Sequence, residues 1–208
     1  IKKFLKIFNL KIMKIDYGFN NFPIVEATEE QKQLMHLSGK YSMTSLIRRW
    51  SLIQSIKYIN DKKIDGDFVE CGVWKGGNLL IFEKLNLKFN LRKKIYAYDT
   101  FAGMSEPTEY DKDLAQKNAK VEWNKNAQNK EINYSFNCYA GLNEVKNNLK
   151  ENLVKIDNIN LIEGKVESTL VNKVNLPNKI SILRLDTDWY ESTKIELDIL
   201  YPLLEVGG

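Results

Sequence analysis

Three features of the sequence predict an α/β fold with a parallel sheet flanked by helices. Short runs that are almost wholly apolar alternate with stretches of helical period, the pattern of strands buried on both faces. One of those runs opens into a glycine-rich turn that feeds a helix, "FVECGVWKGG" at 68–77. The runs also end on acids, "KIYAYD" at 94–99 and "ISILRLD" at 180–186.

The elements follow in order. Residues 29–38, "EEQKQLMHLS", form a short helix ended by Gly39. "TSLIRRWSLIQSIKYIN" carries apolar residues at 46, 47, 50, 53, 56 and 59, a helical spacing, with Thr44 or Ser45 as its N-cap. The pattern then shortens to a strand at 67–73, its glycine turn and a helix. A second strand covers 94–99, and a third covers 159–164 after a polar helical stretch at about 141–152. The fourth is 180–186, followed by a helix over 191–204. Between the second strand and that polar helix, residues 100–140 are turn-rich and acidic, then polar and weakly helical. A long connection at the carboxyl end of a strand is where such folds place substrate loops.

Composition narrows the partners. The chain has 208 residues, 43% apolar and 28% charged, the balance of a folded soluble protein. Its net charge of +4 comes from scattered lysines, so nucleic acid is not an expected partner. Cys71 and Cys138 have no metal-type spacing and read as reduced thiols of a cytoplasmic protein. No apolar run reaches the roughly 20 residues of a membrane span. The opening stretch "IKKFLKIFNLKIMKI" has nine apolar residues and five lysines. It reads first as an N-terminal helix or lid strand packed on the domain or a partner subunit, and second as a membrane-surface helix giving peripheral contact.

Three motifs carry chemistry. In "FVECGVWKGG", Glu70 ends the strand, while Gly72, Gly76 and Gly77 let the backbone bring N–H groups and a helix N-terminus up to a ligand. An acid two residues before the first glycine suits a cationic amino group better than a pyrophosphate, and S-adenosylmethionine has one. Asp99 closes the second strand about 30 residues further on, placed to accept both hydroxyls of a ribose, with a loop cap as its plainer role. Asp186 closes the fourth strand beside the switch point, and a hard carboxylate there suits Mg²⁺ or a similar cation, given further carboxylates. Asp188 reads as the N-cap of the helix that follows. His36 and the "RRW" at 48–50 read as structural or surface residues, and Trp74 as a pocket wall or a sheet contact.

Taken together, "YSMTS" (41–45), "GDFVECGVWKGG" (66–77), "YDTFAGM" (98–104), "IEGKVESTL" (162–170) and "LRLDTDWYESTKIELDILYPLLEVGG" (183–208) resemble the macrocin O-methyltransferase family, the TylF type, from about residue 38 onward. The resemblance implies a Rossmann-like class I methyltransferase sheet over residues 41–208, with 1–40 as an N-terminal segment or lid. It implies a metal-assisted O-methyltransferase that uses S-adenosylmethionine and Mg²⁺ on a sugar hydroxyl of a small-molecule acceptor, in a homo-oligomer. Met43, Thr44 and Ser45 would close over the cofactor. Glu70 and Gly72 would hold its methionine end, and Asp99 with Thr100 and Phe101 its ribose. Gly164 to Val166 would flank the adenine, and Asp186 would be the first metal ligand and the catalytic residue.

In that family the final glycine pair leads into a fifth strand that ends in two adjacent acids, with a general-base histidine beyond. The resemblance therefore implies a chain that lacks its C-terminal strands, keeps the cofactor half-site, is catalytically inactive as a fragment and leaves the fourth strand with an unpaired edge. Two rivals stand beside it: a nicotinamide-dependent oxidoreductase, and a non-catalytic or truncated protein that binds a nucleoside cofactor or a partner chain.

Overall fold

The computed structural model of the chain describes residues 23–113, 115–128, 138–152, 154 and 156–208. The lysine-rich opening stretch lies outside them, so neither reading of it is addressed. Among the described residues, no helix is long and apolar enough to cross a membrane.

Helix α1 spans Glu29–Gly39 and starts at a capping box, in which Thr28 accepts from the Gln31 amide and the Gln31 side chain accepts from the Thr28 amide. Helix α2 spans Leu46–Lys62 and is capped by Ser45, one of the two expected residues. Four strands follow, β1 (Asp67–Cys71), β2 (Ile95–Asp99), β3 (Ile159–Glu163) and β4 (Ile180–Leu185). They alternate with α3 (Gly77–Lys88), α4 (Ala119–Gln128), α5 (Leu142–Glu151), α6 (Val166–Thr169) and α7 (Tyr190–Leu200). Short 3₁₀ turns lie at Lys173–Asn175 and Tyr201–Leu203, the second ending the long C-terminal helix earlier than its apolar pattern predicts.

The sheet is parallel throughout, in the order β3-β2-β1-β4. The switch point therefore lies between β1 and β4, as expected from the acids at those strand ends. Register sets Glu70 between Ala97 on one side and Arg184 on the other. Among the described residues, β4 pairs on one side with β1 and on the other makes only a bridge from Ile180 to Leu204.

Successive side chains of β1 point to opposite faces. Phe68 joins a core with Ile53, Ile56, Leu80 and Phe82, whereas Val69 and Cys71 join a second core with Tyr98, Val166, Leu170 and Leu200. Ile24, Ala27, Leu34 and Met35, from the N-terminal segment, share the first core. Helix α3 is buried nearly all round, which explains why its sequence lacks a polar stripe. Glu70 lies on the Phe68 face, so a carboxylate is built into the α2–α3 side of the sheet.

Candidate functional site

A cavity of about 370 Å³ opens at the carboxyl ends of β1, β2 and β4, within the size range of small-molecule sites. Of the residues singled out above, Met43, Thr44, Gly72, Asp99, Thr100, Gly164, Val166 and Asp186 line it, as does Trp74. Ser45, Glu70 and Phe101 do not. Ser45 caps α2, Glu70 is fully buried, and the Phe101 ring lies in the core while its amide donates to Asp99 Oδ1 at 2.8 Å.

The glycine turn differs from expectation. Several of its N–H groups are taken up within the protein. Val73 and Trp74 donate to Asp99 Oδ2 at 2.7 and 2.9 Å, Gly76 donates to the Val73 carbonyl, and Gly77 donates to the Tyr41 carbonyl at 2.9 Å. Asp99 thus holds the turn from the neighbouring strand, the cap role weighed for it above, while standing on the cavity wall. Gly72 is required sterically: at φ +85° a Cβ would lie 2.3 Å from the Asp186 carbonyl oxygen. That contact keeps the ends of β1 and β4 close, where Asp186 N–H donates to the Cys71 carbonyl.

Beneath the wall lies a polar network that sequence reasoning missed. Arg184 donates through Nη1 to Glu70 Oε1 at 2.7 Å, and through Nη2 to Thr44 Oγ1 at 2.9 Å and Asp186 Oδ2 at 2.7 Å. Asn78 donates to Glu70 Oε1 and Thr44 Oγ1 at 2.9 and 3.2 Å. The cation next to the strand-end acids is therefore an arginine of the same strand. Burial pushes the Glu70 carboxyl up to about 7, against the opposing pull of Arg184 and Asn78. Glu70 Oε2 and Asn78 Oδ1 are buried acceptors that receive no hydrogen bond, so the network is two donors short.

Asp188 is not the cap of α7. It takes φ +67°, lines the cavity, and has its carboxyl raised by burial and by Asp186, with Arg48 opposing. The cap residue is Trp189, whose side chain makes no capping bond. Asp111, from the long connection, accepts instead from the Tyr190 amide at 2.7 Å and from the Thr108 amide and hydroxyl at 2.6 and 3.0 Å. Trp189 Nε1 donates to the Ser105 carbonyl at 2.8 Å, a second tie between the connection and α7. Asp111→Ala is expected to lower stability by about 1–2 kcal/mol in chemical denaturation, because it removes a side-chain cap and leaves a helix-end donor unpaired.

Mg²⁺ fits poorly. Among the described residues, no group of three or more His, Cys, Asp or Glu is arranged to hold a metal ion. Asp186 also already carries a guanidinium on Oδ2. These donors do not make the shell of oxygens the ion requires.

Comparison with known proteins agrees with this architecture. The chain is similar to the 8-demethyl-8-(2,3-dimethoxy-alpha-L-rhamnosyl)-tetracenomycin-C 4'-O-methyltransferase of Streptomyces olivaceus, at 25% identity over 175 residues, covering 82% of this chain. It is similar to the demethyldecarbamoylnovobiocin O-methyltransferase of Streptomyces niveus, at 25% identity over 178 residues and the same coverage. The match spans 61% of the length of each of these relatives. The solved structure of the O-methyltransferase NovP has the same fold, with a TM-score of 0.71 at 20% identity, over 86% of this chain and 80% of that one. The family described as Macrocin-O-methyltransferase (TylF) matches residues 25–208, and the chain belongs to it.

Proposed function

We propose that the protein is an S-adenosylmethionine-dependent O-methyltransferase acting on a sugar hydroxyl of a glycosylated metabolite, glycan or nucleotide-linked sugar. One observation carries the cofactor reading. Four carboxylates, Glu70, Asp99, Asp186 and Asp188, gather at the ends of three adjacent strands, beside a glycine turn whose Val73, Trp74, Gly76 and Gly77 amides are already bonded within the protein. A pyrophosphate would meet three wall carboxylates, Asp99, Asp186 and Asp188, and those bonded amides. A ligand with a sulfonium and an ammonium group would find opposite charge, and its ammonium carries a donor for Asn78 Oδ1, which lacks one on the cavity wall, with Glu70 buried directly beneath. The same observation weighs against the nicotinamide rival.

In this reading, Asp99 presents its remaining acceptor capacity to the ribose while Gly164 and Val166 form the adenine wall. Trp74 and Met43 close the site against water. The acceptor enters on the Asp186–Asp188 side; its hydroxyl oxygen attacks the methyl carbon in line with the departing sulfur, the C–S bond breaks to leave S-adenosylhomocysteine, and the hydroxyl proton passes to a carboxylate on that side. Holding those three atoms in line is where most of the acceleration arises. Asp186 is the proposed catalytic residue by its position at the end of β4 on the cavity wall.

Calorimetry is expected to show binding of S-adenosylhomocysteine and none of NAD. Glu70 sits near 7 in the free protein, and an adjacent ammonium favours its ionised form. Affinity should therefore rise as pH increases through about 7, with a proton released on binding, visible as a dependence of the heat on buffer ionisation enthalpy. NAD binding in place of S-adenosylhomocysteine would end this reading.

A further inference from the structure

We propose that Arg184 is a positioning residue that pins the strap of residues 41–45 across the cavity through Thr44, so that Met43 is held over the bound ligand. The ligand part of this inference rests on the cofactor reading above; the mechanical part does not.

The strap is fixed at both ends. At one end, a Cβ on Gly77 would lie 2.5 Å from the Ser38 carbonyl oxygen and 2.6 Å from Ser42 Cβ, so the chain there rests on the first turn of α3. The Gly77 amide donates to the Tyr41 carbonyl across that contact. At the other end, Ser45 enters α2 as its cap, and Arg49 donates to the Thr44 carbonyl at 2.7 Å. Between them, the Thr44 hydroxyl is buried on the Arg184 fork, whose other bonds go to Glu70 and Asp186. Met43, one residue before, lines the cavity yet is 57% exposed. An apolar side chain held out by anchored neighbours gains burial when a ligand fills the space beneath it. Arg184 supplies the geometry: its planar fork reaches Glu70 through one nitrogen and Thr44 and Asp186 through the other, a spread that the single ammonium nitrogen of a lysine does not match.

The Gly77 amide is the reporter, because its exchange with solvent requires the strap to lift. Thr44→Val removes the acceptor that Arg184 shares with Asn78, while both keep Glu70 and Arg184 keeps Asp186. It should speed Gly77 amide exchange and weaken S-adenosylhomocysteine binding, each by about tenfold or more, the worth of the hydrogen bond to the charged group alone. Thr44→Ser should match the parent in both. Met43→Ala should weaken binding and leave Gly77 exchange unchanged. Arg184→Lys, which keeps a charge beside Glu70, is the second route and should behave as Thr44→Val does. Unchanged Gly77 exchange in both Thr44→Val and Arg184→Lys overturns the proposal, as does a Thr44→Ser variant no better than Thr44→Val. If the parent fails to bind S-adenosylhomocysteine, the cofactor reading falls, and the exchange measurements alone decide the strap.

Discussion

Replacing Gly72 with alanine is expected to cost about 3 kcal/mol or more in urea denaturation and to abolish the melting shift given by S-adenosylhomocysteine. Two independent penalties add. The residue sits at φ +85°, where a side chain is strained, and the new Cβ would meet main-chain atoms of Asp186 at 2.3 and 2.7 Å. Backbone cannot step aside as a side chain can, so β1 and β4 must separate at the point where the cavity begins. Gly141→Ala is the control. Its φ is −69°, and the added methyl would meet only the end of the Tyr139 side chain at 3.3 Å, so the change should stay within about 1 kcal/mol. Equal losses at the two positions would show that the strand-end contact does not carry the site.

Arg184→Met is the second large effect, expected at about 3–5 kcal/mol at pH 8, because it leaves Glu70 buried without its cation. The pH dependence follows from Glu70. Its folded pKa of about 7 lies above its ordinary 4.5, so between those values the folded state keeps a proton that the unfolded state has released. Stability of the parent protein therefore falls as pH rises from about 4.5 to about 7 and levels off above. Burial raises Glu196 to about 7 as well, and it acts in the same direction. In Arg184→Met the opposing pull on Glu70 is gone, so the deficit relative to the parent should be small at pH 5 and largest above pH 7. Adding Glu70→Gln should restore much of the loss. A deficit that does not change with pH would mean that packing, not charge, explains the defect.

The frame of the fold was legible in the sequence because its signals are local. Apolar runs of six or seven residues bounded by glycines and acids fall within two residues of the four observed strands. The acids that end them, Asp99 and Asp186, do reach one cavity. What escaped notice depends on partners far away in the chain. Asp188 has the place of a cap because it precedes a helix, yet the capping carboxylate is Asp111, 79 residues before Tyr190. A rule of local spacing cannot see that competitor, and once Asp111 takes the helix end, Asp188 is released to face the cavity. Arg184 stands as a single cation in an apolar strand, and no local pattern marks it. A buried cation requires a buried anion, and Glu70, within an equally apolar strand, was the signal available. The glycine turn was misjudged in one respect for the same reason: whether its amides are open depends on Asp99 and on the Tyr41 carbonyl, neither of which is local to it.

The contact of Gly77 with residues 38–42 reaches beyond the ligand. With no side chain between them, helix and crossing segment are separated by main-chain thickness alone, and the connection from α1 to α2 has its length measured against that spacing. Relatives that carry a bulkier residue at the equivalent of 77 should show a compensating insertion or a rerouted path in that connection. The two positions ought to vary together across the lineage.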